Sequence, residues 1–257
     1  YLETYITEAP LNPGNIELKT ALIKRLSQGQ EPLYNSLLSW LFAQQKEYGK
    51  AFIQEKAIFM RSPGDLTGIK QLGYAALNDQ QPIMAKTIFS FVLETAVDPR
   101  ERLAAHLEIL RLDRSMKQRP AQEIELSYTE LIQQYQAFDL TQLNLDYAHF
   151  LAFDLDQSQK AIDLLDTAAE RAEKSYAEGR LRLLLGDILV FNEQYNQALV
   201  NYALVQSVLK DDDLAQEAKF KEAQTSYFRG AFEWAQTQLK VLKSSTAQKM
   251  SNDAIAL

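Results

Sequence analysis

The chain has 257 residues, 46% of them hydrophobic, which is enough apolar surface to build one large domain or two small ones. It contains only nine glycines and seven prolines, a composition that argues against a barrel, a sandwich or a disordered tail. The net charge of −7 comes without a basic stripe, so we expect no nucleic acid partner, because phosphate backbones are bound by clustered lysine and arginine. The absence of cysteine excludes disulfides, thiolate nucleophiles and cysteine-ligated zinc.

No stretch approaches the roughly 18 to 20 apolar residues that cross a bilayer, so we expect no direct membrane insertion. The chain begins at Tyr1 rather than at a methionine and ends at Ala256-Leu257 within an apolar-patterned stretch. We therefore expect it to be a fragment or a processed form of a longer protein, whose other parts would carry any targeting signal.

Helical periodicity begins close to the N-terminus. Asn15 follows the turn Asn12-Pro13-Gly14 and is predicted to cap a helix that continues to Leu26. We expect residues 1–31 to form the end of a preceding helix pair.

From residue 32 onwards, apolar residues recur at spacings of three and four between short polar breaks, which predicts helices paired as antiparallel hairpins. The predicted pairs span about 32–65, 66–99, 104–141, 142–178, 179–215 and 216–249. Asp98-Pro99 is expected to close the second pair. Residues 250–257, with Ser251-Asn252-Asp253 before Ala254 and Ile255, are predicted to begin a further helix.

The first two pairs carry small residues at matching positions. Gly73, Ala85 and Phe89 place a small residue in the first helix, a small residue in the second helix and a large one a turn later. Ala51 lies 34 residues before Ala85. The small residues would let the two helices approach closely, while the large one fills the groove between pairs. The third pair has no clear triple, and its first helix is predicted to end before Pro120.

In the C-terminal half the same triple recurs every 37 residues. Gly186, Ala198 and Tyr202 form the clearest example. The corresponding residues 37 positions later and 37 positions earlier are Ala223, Ala235 and Leu239, and His149, Ala161 and Leu165. Ala161, Ala198 and Ala235 are each predicted to begin the second helix of a pair, at a close helix crossing.

These triples, repeated in phase through most of the chain, resemble the tetratricopeptide-repeat (TPR) family. The chain departs from the family pattern in two ways: most first helices lack the consensus tryptophan, and the spacing of 37 exceeds the usual period of about 34. The resemblance implies an all-α fold, a right-handed α-solenoid of antiparallel helix pairs that forms a TPR-like superhelix. It also implies a scaffold that binds a protein or a peptide in its concave groove.

A weaker likeness connects the C-terminal part of the chain with TPR proteins of the bacterial envelope. The segment from Tyr227 to Ala235, followed by the polar tail Lys243-Ser244-Ser245-Thr246, is similar to repeats in outer-membrane assembly lipoproteins and in the Tol–Pal accessory protein. That likeness favours a bacterial origin and a periplasmic or envelope-associated location, with the cytoplasm as the alternative. The lack of cysteine is compatible with either compartment.

Residues that could carry chemistry do not form a recognisable motif. His106 and His149 are the only histidines, and no spacing typical of a metal site accompanies them, so we interpret both as structural. Asp211-Asp212-Asp213 lacks the glycine and the terminal glutamate of a calcium loop and is predicted to cap the next helix. The segment from Arg61 to Asp65 lacks the glycine–lysine pattern of a phosphate loop. We therefore expect no enzyme active site, no cofactor and no metal.

The family pattern places one face of each first helix in the concave groove. The residues predicted to line it are Leu33, Trp40, Tyr74, Leu77, His106, Phe150, Phe153, Phe220 and Tyr227. Several are aromatic, as is typical of surfaces that bind proteins. The alternative interpretation is that they pack as core between adjacent first helices. Lys70 alone does not reproduce the lysine and asparagine pattern of TPR proteins that grip chaperone C-termini, which disfavours such a partner.

Two further hypotheses of function remain open. The chain could be a helical accessory or regulatory module of a larger enzyme or sensor, or part of a bacterial envelope assembly protein. In both cases the other domains would lie outside this sequence. A catalytic or membrane domain elsewhere in the full-length gene would favour the first, and an upstream signal peptide or lipid-attachment cysteine the second.

Overall fold

The computed structural model describes residues 11–29, 31–210 and 212–243, and the regular secondary structure of these residues is helical, with no β-strand among them. The α-helices in this part of the chain are α1 Pro13–Gln28, α2 Pro32–Gln44, α3 Tyr48–Arg61, α4 Thr67–Asn78, α5 Pro82–Thr95, α6 Pro99–Ser115, α7 Ala121–Gln134, α8 Thr141–His149, α9 Ser158–Glu170, α10 Ser175–Phe191, α11 Tyr195–Leu209, α12 Asp213–Phe228 and α13 Phe232–Lys243. After α8 the chain continues into a single π-helical turn at Phe150–Asp154.

Prolines and short polar caps set where several helices begin. The prolines in first turns are Pro13, Pro32, Pro82 and Pro99. Asn12 and Asp98 cap α1 and α6, where their side chains each accept a backbone N–H at 2.9 Å, from Gly14 and Arg100. The predicted cap Asn15 therefore lies inside α1, where it is 1% exposed. Asp98 likewise begins the third pair instead of closing the second.

The chain divides into two compact units, Tyr1–Ile124 and Glu125–Leu257, with the boundary inside α7. In the first unit, each of the helices α1 to α5 packs against the next helix in sequence, and in the second unit α8 to α12 do the same. The short turns inside the pairs reverse the chain, so that each pair is a helical hairpin. Residues 250–257, predicted to begin a further helix, lie outside the described residues.

The helices of a pair approach closely where the sequence supplies small side chains. A Cβ atom built on Gly186 would lie 2.4 Å from the ring of Tyr202, and one built on Gly73 would lie 2.9 Å from the ring of Phe89. In these two triples the large residue thus covers the glycine of its partner helix. The alanines predicted at such crossings are all at most 1% exposed: Ala51, Ala85, Ala161, Ala198 and Ala235. These contacts confirm the triples predicted around Gly73 and Gly186.

Each turn within a pair contains one residue in the left-handed backbone conformation. These residues, with φ from 52° to 84°, are Lys46, Gln80, Lys117, Asp156, Glu193 and Gly230. After five of them the next residue donates its backbone N–H to the carbonyl five positions earlier, as Gln194 does to Leu189 at 2.8 Å. In the fourth pair the same bond joins Gln157 to Leu151, six positions earlier, also at 2.8 Å. The π turn therefore inserts one residue into the first helix of that pair.

The inserted residue changes the register of the fourth pair. Counting 37 residues back from Gly186 predicts His149 as its small residue, but His149 is exposed. Ala148, 38 residues before Gly186, is fully buried instead. The same shift places Phe150, 38 residues before the buried Ile188, in the core at 2% exposure. The prediction for His149 is wrong because a constant period of 37 does not allow for the π turn.

Replacing Gly186 with alanine is expected to lower the free energy of unfolding by about 1–3 kcal/mol, because the new methyl group must displace the Tyr202 ring. Gly49 is a matched control: a Cβ there would lie 3.5 Å from Met84, an ordinary contact, so Gly49→Ala should be neutral or slightly stabilising. Urea unfolding followed by circular dichroism measures both variants. An unfolding midpoint of Gly186→Ala equal to that of the parent would contradict the close crossing.

Gln80 offers a test of the turns, since its φ is 57°. The left-handed conformation costs a residue with a side chain about 1–2 kcal/mol, and part of that is offset by the larger chain entropy of unfolded glycine. Gln80→Gly is therefore expected to raise the free energy of unfolding by about 0.5–1 kcal/mol. Gln80→Ala retains the strain and should leave stability unchanged. If the glycine variant unfolds at a lower urea concentration than the alanine variant, the turn geometry is incorrect.

Candidate functional site

The first helices of the three pairs in the second unit lie side by side. α10 contacts both α8 and α12, whereas the second helices α9, α11 and α13 make no comparable contacts with one another within the described residues. The first helices therefore form the inner layer of this unit, and the second helices spread over its outside. The candidate site is the face of the inner layer that the second helices leave uncovered.

Three phenylalanines lie at the C-terminal ends of these first helices. Phe153, Phe191 and Phe228 are 42%, 58% and 55% exposed, although large apolar side chains are usually buried. The rings of Phe153 and Phe191 meet edge to face, with centroids 5.2 Å apart. We call these three residues the aromatic column. Only Phe153 belongs to the set predicted from the sequence, although the 37-residue spacing between the other two matches the repeat.

Further aromatic side chains are exposed beside the column at the last pair. Tyr227, one of the predicted groove residues, is 48% exposed, and its ring lies 6.2 Å from that of Phe228 and 5.2 Å from that of Phe232. Phe232 and Trp234 are each 59% exposed and line a shallow depression together with Thr237. The aromatic column thus continues into an apolar patch at this pair.

The π turn determines which aromatic side chain of the fourth pair reaches the surface. Phe150, predicted to line the groove, is 2% exposed and packs against Tyr128, with ring centroids 5.6 Å apart. His149 is exposed, and its ring lies 4.7 Å from that of Phe153. The one-residue shift exchanges the expected positions of the two side chains. Phe150 is therefore a core residue, which corrects the groove prediction, and His149 borders the column.

The predicted groove residues of the first unit differ in exposure. Leu33 and Tyr74 are 58% and 45% exposed, while Trp40 and Leu77 are half-buried. The Tyr74 hydroxyl donates a long hydrogen bond of 3.4 Å to Glu108. Burial, followed by the Glu108 charge, raises the pKa of Tyr74, so the phenol stays protonated at neutral pH.

The two remaining predicted residues, His106 and Phe220, are half-buried. Burial lowers the pKa of His106, and the positive charge of Arg102 lowers it further, so the imidazole is held neutral. Its Nδ1 atom is buried without a hydrogen-bond partner. These surroundings support the interpretation of His106 as a packing residue.

The carboxylate of Asp187 in the inner layer is paired with side chains of two neighbouring helices. Asp187 on α10 accepts hydrogen bonds from the Tyr202 hydroxyl at 2.8 Å and from Lys221 Nζ at 2.9 Å. Burial raises the pKa of Tyr202, and the Asp187 charge raises it further, so the phenol remains a donor. Lys221 also lies 3.9 Å from Glu217. The contacts of Asp187 join α10, α11 and α12.

Among the described residues, no group of three or more histidine, aspartate and glutamate side chains could hold a metal ion. Within the same ranges, none of the helices combines the length and the apolar character needed to cross a bilayer.

No family model matches the sequence, and no curated protein matches it. Solved structures do match. The TPR-like repeats of a putative kinesin light chain from Podosopora anserina are 17% identical, with a TM-score of 0.56 over 71% of this chain and 97% of that one. PlcR of Bacillus thuringiensis, solved in complex with the peptide PapR7 and DNA, is 12% identical, with a TM-score of 0.54 over 93% of this chain and 98% of that one. The chain therefore has the all-α fold of tetratricopeptide-repeat proteins.

Phe150 and Phe153 provide a matched pair of substitutions within one π turn. Phe150→Ala is expected to lower the free energy of unfolding by about 3–5 kcal/mol, because it leaves a cavity against Tyr128. Phe153→Ala removes a ring that is 42% exposed and should cost less than about 1 kcal/mol. Thermal and urea unfolding of the two variants measure the difference. Equal losses in both would show that Phe153 is also core.

Proposed function

We propose that this chain is a non-catalytic scaffold that binds a protein or peptide segment along the exposed face of its first helices, with the aromatic column as the main anchor. The observation that carries the proposal is the exposure of Phe153, Phe191 and Phe228 at the same end of three successive first helices. Burying an exposed phenylalanine ring against a partner is favourable, because it removes apolar surface from water. Several large apolar side chains exposed on one part of the surface are typical of an interaction site.

The spacing of the column suits an extended peptide. Adjacent packed helices lie about 8–10 Å apart, and an extended chain advances about 3.3 Å per residue. Side chains that are two or three residues apart in such a peptide could therefore contact successive phenylalanines. Phenylalanine is a suitable anchor because it provides a large contact area while only two side-chain torsions are restricted on binding.

Similarity to PlcR supports a peptide as the occupant. The PlcR structure was solved in complex with the peptide PapR7 and DNA, and its chain matches this one over most of its length. For this chain the net charge of −7 favours a peptide or protein over DNA as the partner.

A library of random peptides displayed on phage, selected on the full chain, is expected to yield binders that depend on the aromatic column. For a selected peptide, Phe191→Ala and Phe228→Ala should each raise the Kd about 30-fold, since an aromatic anchor carries about 2 kcal/mol or more of affinity. Fluorescence anisotropy with the labelled peptide measures the Kd.

Val200→Ala is the matched control for this experiment. Val200 is 59% exposed, but it lies on the second helix α11, away from the inner layer. Its removal should leave the peptide affinity unchanged. Thermal unfolding of each variant shows whether the fold is retained. Selected peptides that bind the two phenylalanine variants as tightly as the parent would refute the column as the binding surface.

A further inference from the structure

Acidic residues border the aromatic column. Asp156, Glu193 and Glu233 each lie within five residues after one phenylalanine of the column, in the turn or at the start of the following second helix. Asp156 and Glu193 are the left-handed residues of their turns. All three side chains are exposed. Each first helix of the second unit therefore ends in an exposed aromatic ring followed closely by a carboxylate.

The basic residues of the same three turns already contact other side chains of the protein. Arg229 donates a hydrogen bond to Asn196 at 2.5 Å, and Lys160 lies 3.5 Å from Glu125. They are the two basic residues in segments 154–160, 192–197 and 229–233. The same segments contain four acidic residues, Asp154, Asp156, Glu193 and Glu233, so this border is predominantly acidic, in keeping with the net charge of −7 for the whole chain.

We propose that the aromatic column selects a peptide segment that combines aromatic or aliphatic side chains with lysine or arginine. This inference rests on the proposed function of the column. The apolar side chains pack on the phenylalanines, and cationic side chains elsewhere in the segment pair with Asp156, Glu193 and Glu233. An arginine can also lie over the face of an exposed ring, where the negative face of the π system attracts its charge.

The aromatic rings and the carboxylates make different contributions to binding. The rings supply most of the affinity, because each removes a large apolar area from water. An exposed ion pair raises the affinity only about 1.4- to 5-fold. The carboxylates therefore determine which apolar segments bind more tightly, and they contribute little to the total affinity. A segment rich in glutamate or aspartate is repelled by the carboxylates of the acidic border, so its affinity is lower.

Three labelled peptides of equal length test the charge preference. They share the same phenylalanine and leucine positions, and their remaining positions are all arginine, all glutamine or all glutamate. Anisotropy titrations against the full chain are expected to show the arginine peptide binding about 3- to 100-fold more tightly than the glutamine peptide, from three exposed pairs. The glutamate peptide should bind most weakly. The preference should shrink as salt is raised, because exposed charges are screened.

Substitutions of the border residues test the same inference from the protein side. The double variant with Asp156→Asn and Glu193→Gln is expected to weaken binding of the arginine peptide about 2- to 30-fold and to leave the glutamine peptide unaffected. Asp166→Asn is the matched control, since Asp166 is an exposed carboxylate on the second helix α9. It should change the affinity of neither peptide.

The outcomes separate this inference from the proposed function. Equal affinity for the arginine and glutamine peptides, with both lost in Phe191→Ala, overturns the charge preference and leaves the proposed function standing. Arginine-peptide binding that persists unchanged in Phe191→Ala reflects general attraction to an acidic chain and also overturns it. If none of the three peptides binds, the inference fails, while the library selection still decides whether the column binds peptides.

Discussion

The packing of a glycine on one helix against a large ring on its partner is the interaction on which the second unit depends. Because Gly186 has no side chain, the Tyr202 ring lies close against α10, and its hydroxyl reaches Asp187 at 2.8 Å. Asp187 in turn accepts a hydrogen bond from Lys221 in the next pair. The absence of one Cβ atom thus fixes the spacing within a pair and places the carboxylate that joins this pair to the next.

The π turn is the second constraint, since it lets a first helix with one extra residue keep its small residue at the crossing. Ala148, before the π turn, lies 38 residues before its equivalent Gly186, whereas Ala161, after the turn, lies 37 residues before its equivalent Ala198. Both alanines are therefore fully buried at the crossing. Without the turn, one of the two would leave the crossing. His149 and Phe153, whose rings lie 4.7 Å apart at the surface, belong to the same distorted stretch, so the irregular backbone coincides with the candidate site.

The sequence predicts the helix pairs well because small residues at a fixed spacing allow few other arrangements, as around Gly186. It predicts the aromatic surface less well. A single insertion inside a helix leaves the apolar pattern intact, so periodicity does not distinguish the buried Phe150 from the exposed His149. Phe191 and Phe228 lie at helix ends, where exposure depends on neighbouring turns. Their spacing of 37 residues was the available signal, and it identifies equivalent positions without giving their exposure.

Different residues hold the pairs together and form the candidate surface. Where pairs dock, carboxylates are neutralised: Asp113, 2% exposed, is paired with Lys86, because an unpaired buried charge would be strongly destabilising. Asp187 and Lys221 serve the same purpose in the second unit. The carboxylates of the turns have no such role in the core, so they can remain exposed beside the aromatic column. The proposed binding preference depends on these exposed carboxylates, whereas the contacts between pairs involve Asp113 and Asp187. Substitutions that keep the side-chain size and the left-handed backbone of the turns, such as Glu193→Gln, therefore change the acidic border while the contacts between pairs are retained.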